Sequence, residues 1–168
     1  MSITGIGLKL AVMTMFYSIL IFGLNDYYKI AFAINVIPHI VLIVIGAALL
    51  AVGIPFLIIS IISIYKAYTM DFLCVTGIYS ICRNPLYSAW IVFIIPGITL
   101  LLGSWILLSI PFVMYLIFRI LIKQEESYLF IKFGEQYTDY KTKVSLLFPM
   151  FWRYNKNKTN KKGEQNEK

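Results

Sequence analysis

The sequence predicts an all-α membrane protein, a polytopic bundle of about four transmembrane helices followed by an amphipathic helix at the membrane surface. Hydrophobic residues make up 60% of the 168 residues and charged residues 14%, and the mean hydropathy is +0.79. A water-soluble domain of this length could not cover so much apolar surface with its polar remainder. Long uncharged runs instead match the roughly 20 residues that a helix needs to cross a bilayer.

Span 1 is predicted at about residues 3–24, an apolar run in which Lys9 is the only charged residue. The run lacks the basic start and the small-residue cleavage site of a signal peptide, and we therefore interpret it as a retained span. The polar cluster at residues 25–29 predicts a connecting loop.

Span 2 is predicted within the next apolar run, residues 30–65, which is too long for one straight span. Pro38 is predicted to open this span. Gly46, Gly53 and Pro55 within it permit close packing or a bend. A break near Pro55 would instead give two shorter spans and a total of five, so both counts stay open.

Spans 3 and 4 are predicted to form a helical hairpin. One uncharged apolar run covers residues 86–102, Gly103-Ser104 is a turn signal, and a second apolar run covers residues 105–122. At about 1.5 Å per helical residue, each arm climbs about 27 Å, close to the thickness of one bilayer core. The residues just before the first arm and just after the second therefore reach the same membrane face.

Beyond the hairpin, large apolar residues recur at helical spacing over residues 129–144 with charged residues between them. This pattern predicts an amphipathic helix that anchors the chain at the interface, and its position also suggests a lid over the polar end of the hairpin. Residues 155–168 have no apolar face and predict a disordered basic tail suited to anionic lipid. A single membrane domain is thus predicted over residues 1–154.

Basic residues predict the orientation of the chain in the membrane. Eleven of the fifteen Lys and Arg residues lie at or after Arg119, and none lies near the turn at residues 103–104. By the positive-inside rule the C-terminus and the polar end of the hairpin face the cytoplasm. The bias toward Ile, Lys and Asn is compatible with a prokaryotic plasma membrane, and the endoplasmic reticulum stays open as an alternative.

The sequence predicts no metal site and no nucleic-acid binding. Cys74 and Cys82 are eight residues apart, and the only histidine, His39, lies in another segment. This spacing indicates two reduced thiols rather than metal ligands, and we assign His39 no chemistry. The basic tail lacks the folded surface with aromatic residues that nucleic-acid binding requires.

Two polar islands flank the hairpin, one at residues 83–87 and one at Glu125-Glu126. Folding the hairpin brings them together, and an arginine and a carboxylate pair beside lipid predict a site for a charged small molecule that meets a lipid-soluble one. Adjacent glutamates on a helix turn only one side chain toward a given partner, and Glu126 is the stronger candidate. A helix-end ion pair between Arg83 and a glutamate is the plainer alternative.

Three sequence elements surround the hairpin in a fixed order. They are G-x-Y-x-x-x-R-N-P-x-Y at residues 77–87, the Glu125-Glu126 pair, and F-G-x-x-Y-x-x-Y at residues 133–140. Together they resemble the isoprenylcysteine carboxyl methyltransferase family and the related phospholipid N-methyltransferases. The resemblance covers about residues 73–149, and Asn84 departs from it because the family usually has histidine there.

The resemblance implies transfer of a methyl group from S-adenosylmethionine to a membrane-embedded acceptor, such as the carboxylate of an isoprenylcysteine or a similar lipophilic molecule. The implied catalytic residues are Arg83 and Glu126. The implied cofactor-binding residues are Gly77, Tyr79, Arg83, Asn84, Pro85, Tyr87, Glu125 and Glu126. No metal is implied, and the implied partners are membrane lipids and a lipophilic or prenylated substrate.

The chemistry of these residues agrees with that cofactor, which carries a sulfonium, an ammonium, a carboxylate and ribose hydroxyls. Glu125 or Glu126 can bind the ammonium or the ribose, and Arg83 can bind the carboxylate through a charge-assisted fork. Asn84 can donate and accept hydrogen bonds but cannot transfer a proton. A carboxylate acceptor does not need that transfer, whereas an ammonium must first lose a proton.

The sequence leaves two other functions open. The first is an NADPH-dependent membrane reductase of the sterol-reductase kind, which resembles this family in its C-terminal helices. The few cationic residues near the site weigh against a cofactor with a 2′-phosphate and a pyrophosphate. The second is a non-enzymatic helical module that binds lipid or a partner. The oligomeric state is also open.

Overall fold

The computed structural model describes residues 4–69 and 73–149, and within these ranges the chain is helical with no strand longer than an isolated bridge. Within the described ranges, four helices have the length and composition to cross a membrane. They are Ile6–Tyr27, His39–Tyr65, Pro85–Leu102 and Ile106–Phe133. The all-α architecture with four spans is therefore confirmed, whereas the tail predicted at residues 155–168 lies outside the described residues.

The first span is α1, Thr4–Tyr27, and it is longer than the sequence predicted. The loop expected at residues 25–29 was wrong, because α1 continues through Tyr27 and a short helix, α2 (Lys29–Phe32), begins two residues later. Asp26 and Tyr27 are exposed. Polar side chains on the last turn of a helix can be solvated while the backbone is still helical. The polar residues therefore did not mark the end of α1.

The second span is a single helix of 31 residues, α3 (His39–Thr69), with Pro55 inside it. The alternative of two shorter spans and five in total was therefore wrong. Proline removes one backbone hydrogen bond, but in lipid the remaining backbone groups are satisfied only if the helix continues on both sides.

Glycines allow α3 to lie very close to the third span, as their positions predicted. A Cβ atom added to Gly46 would lie 2.8 Å from the carbonyl oxygen of Gly97, and one added to Gly53 would lie 2.6 Å from Cβ of Phe93. Such distances are too short for real side chains. The glycines at this crossing are thus needed for the observed approach of the two helices.

The third span contains three helical segments in succession, α4 (Pro85–Ser88), a π-helical turn over Ala89–Ile94, and α5 (Ile95–Leu102). The wide turn ends at Ile94, two residues before Pro96. The ring of a proline clashes with the turn that precedes it, and a widened turn accommodates the ring without ending the helix. The sequence predicted the span but not this irregularity.

The hairpin turns at the end of the bundle opposite Arg83, which we call the distal end. Gly103 closes the turn in the left-handed region, with φ of 62°. Its carbonyl oxygen accepts a hydrogen bond from Ile34 N, and Trp105 N donates to Phe32 O, both at 2.9 Å. Backbone hydrogen bonds thus join the hairpin turn to the end of α2 and to the segment that follows it.

The fourth span begins with one 3₁₀ turn, Ile106–Leu108, and continues as α6, Ser109–Phe133. The span predicted to end at residue 122 therefore continues eleven residues further. It ends at Phe133, just before Gly134, whose φ is 53°, and α7 (Glu135–Lys143) follows. The amphipathic helix predicted over residues 129–144 is therefore divided at Gly134. Its first residues are the last turn of α6, and most of the others form α7.

The four spans differ in how much of their surface is covered. In their most apolar stretches α1 and α3 are 22% and 17% buried, against 39% for the third span and 33% for the fourth. The main core lies where α1 packs along α6, around Leu10 and Phe118. The hairpin is therefore the central element, and α1 and α3 flank it with apolar faces suited to lipid.

Candidate functional site

The hairpin brings the two polar islands together at the end that we call the site end. Arg83, just before α4, donates from Nη1 to Oε1 of Glu126 in α6 at 2.6 Å. The two side chains are only 10% and 16% exposed. A charge-assisted hydrogen bond of this length between two nearly enclosed groups joins residues that are 43 positions apart in the chain.

Arg83 also holds the segment that follows α7. Its Nε donates to the carbonyl oxygen of Val144 at 3.0 Å, and its backbone N donates to Ser145 O at 2.8 Å. Nη1 additionally lies 3.4 Å from the hydroxyl oxygen of Tyr137 in α7. One guanidinium therefore connects the hairpin, α7 and the chain after it, while no contact of Nη2 is found among the described residues.

The side chain of Asn84 binds the same segment, one residue beyond Ser145. Its Nδ2 donates to the carbonyl oxygen of Leu146 at 3.1 Å. A histidine ring also offers an N–H donor, so the amide can provide the same bond where the resembling family has histidine. Pro85 is buried at the first turn of α4, where its missing N–H costs no hydrogen bond.

Glu126 lies between two cations. Its second oxygen, Oε2, accepts a hydrogen bond from Nζ of Lys141 in α7 at 2.7 Å. Lys141 is 46% exposed, so this ion pair faces solvent while the one with Arg83 is enclosed. The sequence did not single out Lys141, although it follows Tyr137 by four residues and therefore shares a face of α7 with it.

A cavity of about 470 Å³ lies between the end of α6 and α7. This volume falls within the range of small-molecule sites in proteins. Its walls carry one carboxylate, two ammonium groups, three hydroxyl groups and two large apolar side chains. The lining residues are Lys123, Glu126, Ser127, Phe130, Ile131, Tyr137, Thr138 and Lys141.

Glu125 has different neighbours from Glu126. It is half-buried and interacts electrostatically with Tyr79 and Tyr87 of the first island. Burial raises the pKa of Tyr79 above its ordinary value, and the Cys74 thiol and Glu125 raise it further. Tyr79 is therefore a neutral hydrogen-bond donor at neutral pH.

Two tyrosines fix α7 against the loop that precedes α4. Tyr140 donates from its hydroxyl to the carbonyl oxygen of Tyr79 at 2.6 Å, and both Tyr137 and Tyr140 are buried beside Val75 and Val144. Burial, with a further contribution from the Glu126 carboxylate, raises the pKa of Tyr137 to about 12. Its hydroxyl thus keeps a proton to donate at the edge of the cavity.

The remaining predicted residues lie around this centre without lining the cavity. Gly77 is exposed and opens a 3₁₀ turn, Gly77–Ser80, and Tyr87 packs its ring against Phe118 with centroids 5.1 Å apart. Cys74 and Cys82 are free, and burial raises the pKa of the Cys82 thiol to about 12.

The structure thus groups the eight predicted residues at one end of the bundle, but of these only Glu126 lines the cavity. The residues that sequence reasoning missed are Lys123, Lys141 and the carbonyl groups of residues 144–146. Lys141 had a signal in its spacing from Tyr137. The carbonyl groups had none, because a backbone acceptor looks the same in every sequence.

Comparison with known protein families identifies a family to which the chain is similar. The family model described as phospholipid methyltransferase matches residues 41–136, more than half of the chain. The matched range covers nearly all of α3, the whole hairpin, both glutamates and the start of α7. No curated protein and no solved structure matches the chain significantly.

Proposed function

The chain belongs to the phospholipid methyltransferase family, whose members are integral membrane methyltransferases, and on that premise we propose that it transfers a methyl group from S-adenosylmethionine to a lipophilic acceptor. One observation carries this proposal beyond the family. The Glu126 carboxylate, fixed by Arg83, presents its second oxygen in a cavity of about 470 Å³.

Glu126 is suited to the amino group of the cofactor. In the structure its Oε2 accepts a hydrogen bond from the ammonium of Lys141, which is the same chemical group as the ammonium at the amino-acid end of S-adenosylmethionine. Because Lys141 is half-exposed, it can leave this position at little cost. We propose that the cofactor's ammonium takes its place.

Arg83 then has two roles. Its enclosed ion pair holds the Glu126 side chain in one orientation. Less side-chain conformational entropy is then lost when a ligand binds. Nη2, which has no partner among the described residues, can donate to the cofactor's carboxylate, the role that the resemblance implies for Arg83. The hydroxyl of Tyr137 lies beside the same guanidinium and supplies a neutral donor.

Bound S-adenosylmethionine supplies an electrophilic methyl group on its sulfonium, and transfer to a carboxylate oxygen forms a methyl ester and leaves S-adenosylhomocysteine. Asn84 has no titratable group and is engaged with Leu146 O, so it offers no general base. We therefore propose an acceptor that is already nucleophilic, such as the carboxylate of an isoprenylcysteine or a similar lipophilic anion.

We also propose that the site end faces the cytoplasm of a prokaryotic cell, where S-adenosylmethionine is made. The excess of Lys and Arg at and after Arg119 supports this orientation. A single cysteine placed at the exposed Thr76, in a variant without Cys74 and Cys82, tests it. In intact cells an impermeant maleimide should leave that cysteine unlabelled and should label it once the membrane is opened; labelling of intact cells contradicts the orientation.

Calorimetric titration of the detergent-purified protein tests the cofactor. S-adenosylhomocysteine should bind saturably, and Glu126→Gln should weaken its binding by at least about tenfold, because a charged hydrogen bond is worth about 1.5 kcal/mol or more. Glu135→Gln is the matched control, since Glu135 is an exposed glutamate of α7 outside the cavity lining, and it should leave binding unchanged.

Two other outcomes of the titration would favour other functions. Binding of NADPH without binding of S-adenosylhomocysteine would favour a membrane reductase. Binding of neither, by protein whose cooperative thermal unfolding shows it to be folded, would favour a non-enzymatic helical module.

A further inference from the structure

One face of α6 exposes an apolar stripe that leads to the cavity. Phe112, Leu116 and Ile120 follow one another at four-residue spacing and are 63%, 45% and 69% exposed. Lys123 and Ser127 continue the same helical face by a further three and four residues, and both line the cavity. A lipid chain that lay along the stripe would therefore carry its headgroup to Lys123.

The charges around the cavity favour an anion. Two ammonium groups, those of Lys123 and Lys141, line the cavity with one carboxylate, that of Glu126, which leaves a net charge of +1. Glu126 is already bonded to Arg83 and Lys141. The ammonium of Lys123 forms no ion pair among the residues that the structure describes, so its charge is uncompensated.

The donors at this position suit a phosphate group. Lys123 and Lys141 each carry three N–H donors, and Lys141 has one of them engaged with Glu126. Basic pockets beside membrane-spanning helices bind phosphate-bearing headgroups in this way.

We propose that the groove between α6 and α7 binds an anionic glycerophospholipid, with its phosphate held by Lys123 and Lys141 and one acyl chain along Phe112, Leu116 and Ile120. This inference goes beyond the proposed activity. A phosphate diester such as phosphatidylglycerol has no carboxylate or amine to methylate. The bound lipid is therefore not the methyl acceptor.

Native mass spectrometry of the full chain, titrated in detergent with phosphatidylglycerol, tests the site. Phosphatidylglycerol should bind more tightly than phosphatidylcholine. Lys123→Gln and Lys141→Gln should each weaken its binding about fivefold, because a basic residue near a membrane surface contributes about 1 kcal/mol. Lys143→Gln should change nothing, since Lys143 lies on α7 outside the cavity lining.

Two results would overturn the proposal: equal binding of phosphatidylglycerol and phosphatidylcholine, or phosphatidylglycerol binding that survives both substitutions. If Lys141→Gln lowers the thermal unfolding midpoint, Lys123→Gln decides alone, because its charge is unpaired in the described part of the chain. The titration contains no cofactor analogue, so failure of lipid binding leaves the methyltransferase proposal standing, and the reverse also holds.

Discussion

The distal end and the site end of the bundle are joined by different kinds of contact. At the distal end a backbone hydrogen bond from Ile34 to Gly103 ties the hairpin turn to the chain before α3. At the site end the ties are side chains, with Arg83 and Lys141 on either side of Glu126. A backbone hydrogen bond can form with most side chains at that position. A cluster of charged side chains depends on each of its members, and a ligand can replace one of them.

The largest effect is expected from Arg83→Ala, which breaks the site end. The substitution leaves Glu126 nearly enclosed with only Lys141 as partner, and it frees the carbonyl of Val144. Removal of one member of an enclosed pair costs about 3 kcal/mol, so the unfolding midpoint in detergent should fall strongly and S-adenosylhomocysteine binding should be lost. Arg119→Ala, at an exposed position of α6, should do neither.

High pH should also loosen the site end before the distal end. Burial raises the pKa of Cys82 to about 12 from an ordinary 9.0, so the thiol stays protonated in the folded chain after it ionises in the unfolded one. Its contribution is complete below pH 9 and is lost by about pH 12, at a cost of about 4 kcal/mol. Hydrogen exchange near residue 82 should accelerate across this range, and less so in Cys82→Ala.

Gly103→Ala should sharpen the comparison by damaging the distal end alone. The backbone there has φ of 62°, and an added Cβ would lie 3.3 Å from the His39 ring. We expect a loss of about 1 to 2 kcal/mol in stability. The affinity for S-adenosylhomocysteine should not change. If Gly103→Ala lowers this affinity as much as Arg83→Ala does, ligand binding depends on both ends and the comparison is wrong.

Lys141→Met should have the smallest effect on stability, within about 0.5 kcal/mol, because exposed ion pairs contribute little. It should nevertheless raise the affinity for S-adenosylhomocysteine severalfold, since the ammonium that competes for Glu126 is gone. Lys143→Met on the same helix is the control. A weaker affinity in Lys141→Met would mean that Lys141 contacts the ligand instead of yielding its place.

Much of this arrangement could be predicted from the sequence because it depends on local features. Run lengths and the Gly103 turn predicted the hairpin, and equal arms predicted that residue 83 and Glu126 would meet. The ends of α1 and α6 could not be predicted from polarity, because polar residues that reach water do not end a helix. The bonds of Asn84 and Arg83 to residues 144–146 could not be predicted either, since they join backbone groups about 60 positions away.

A structure of the protein with S-adenosylhomocysteine bound tests the central claim most directly, namely that Glu126 is a carboxylate held ready for the cofactor's amino group. We predict that the ligand's amino nitrogen lies within hydrogen-bond distance of Glu126 Oε2, that Lys141 has left that oxygen, and that the bond from Arg83 to Oε1 is kept. A ligand bound elsewhere, with Lys141 still on Glu126, would contradict the claim.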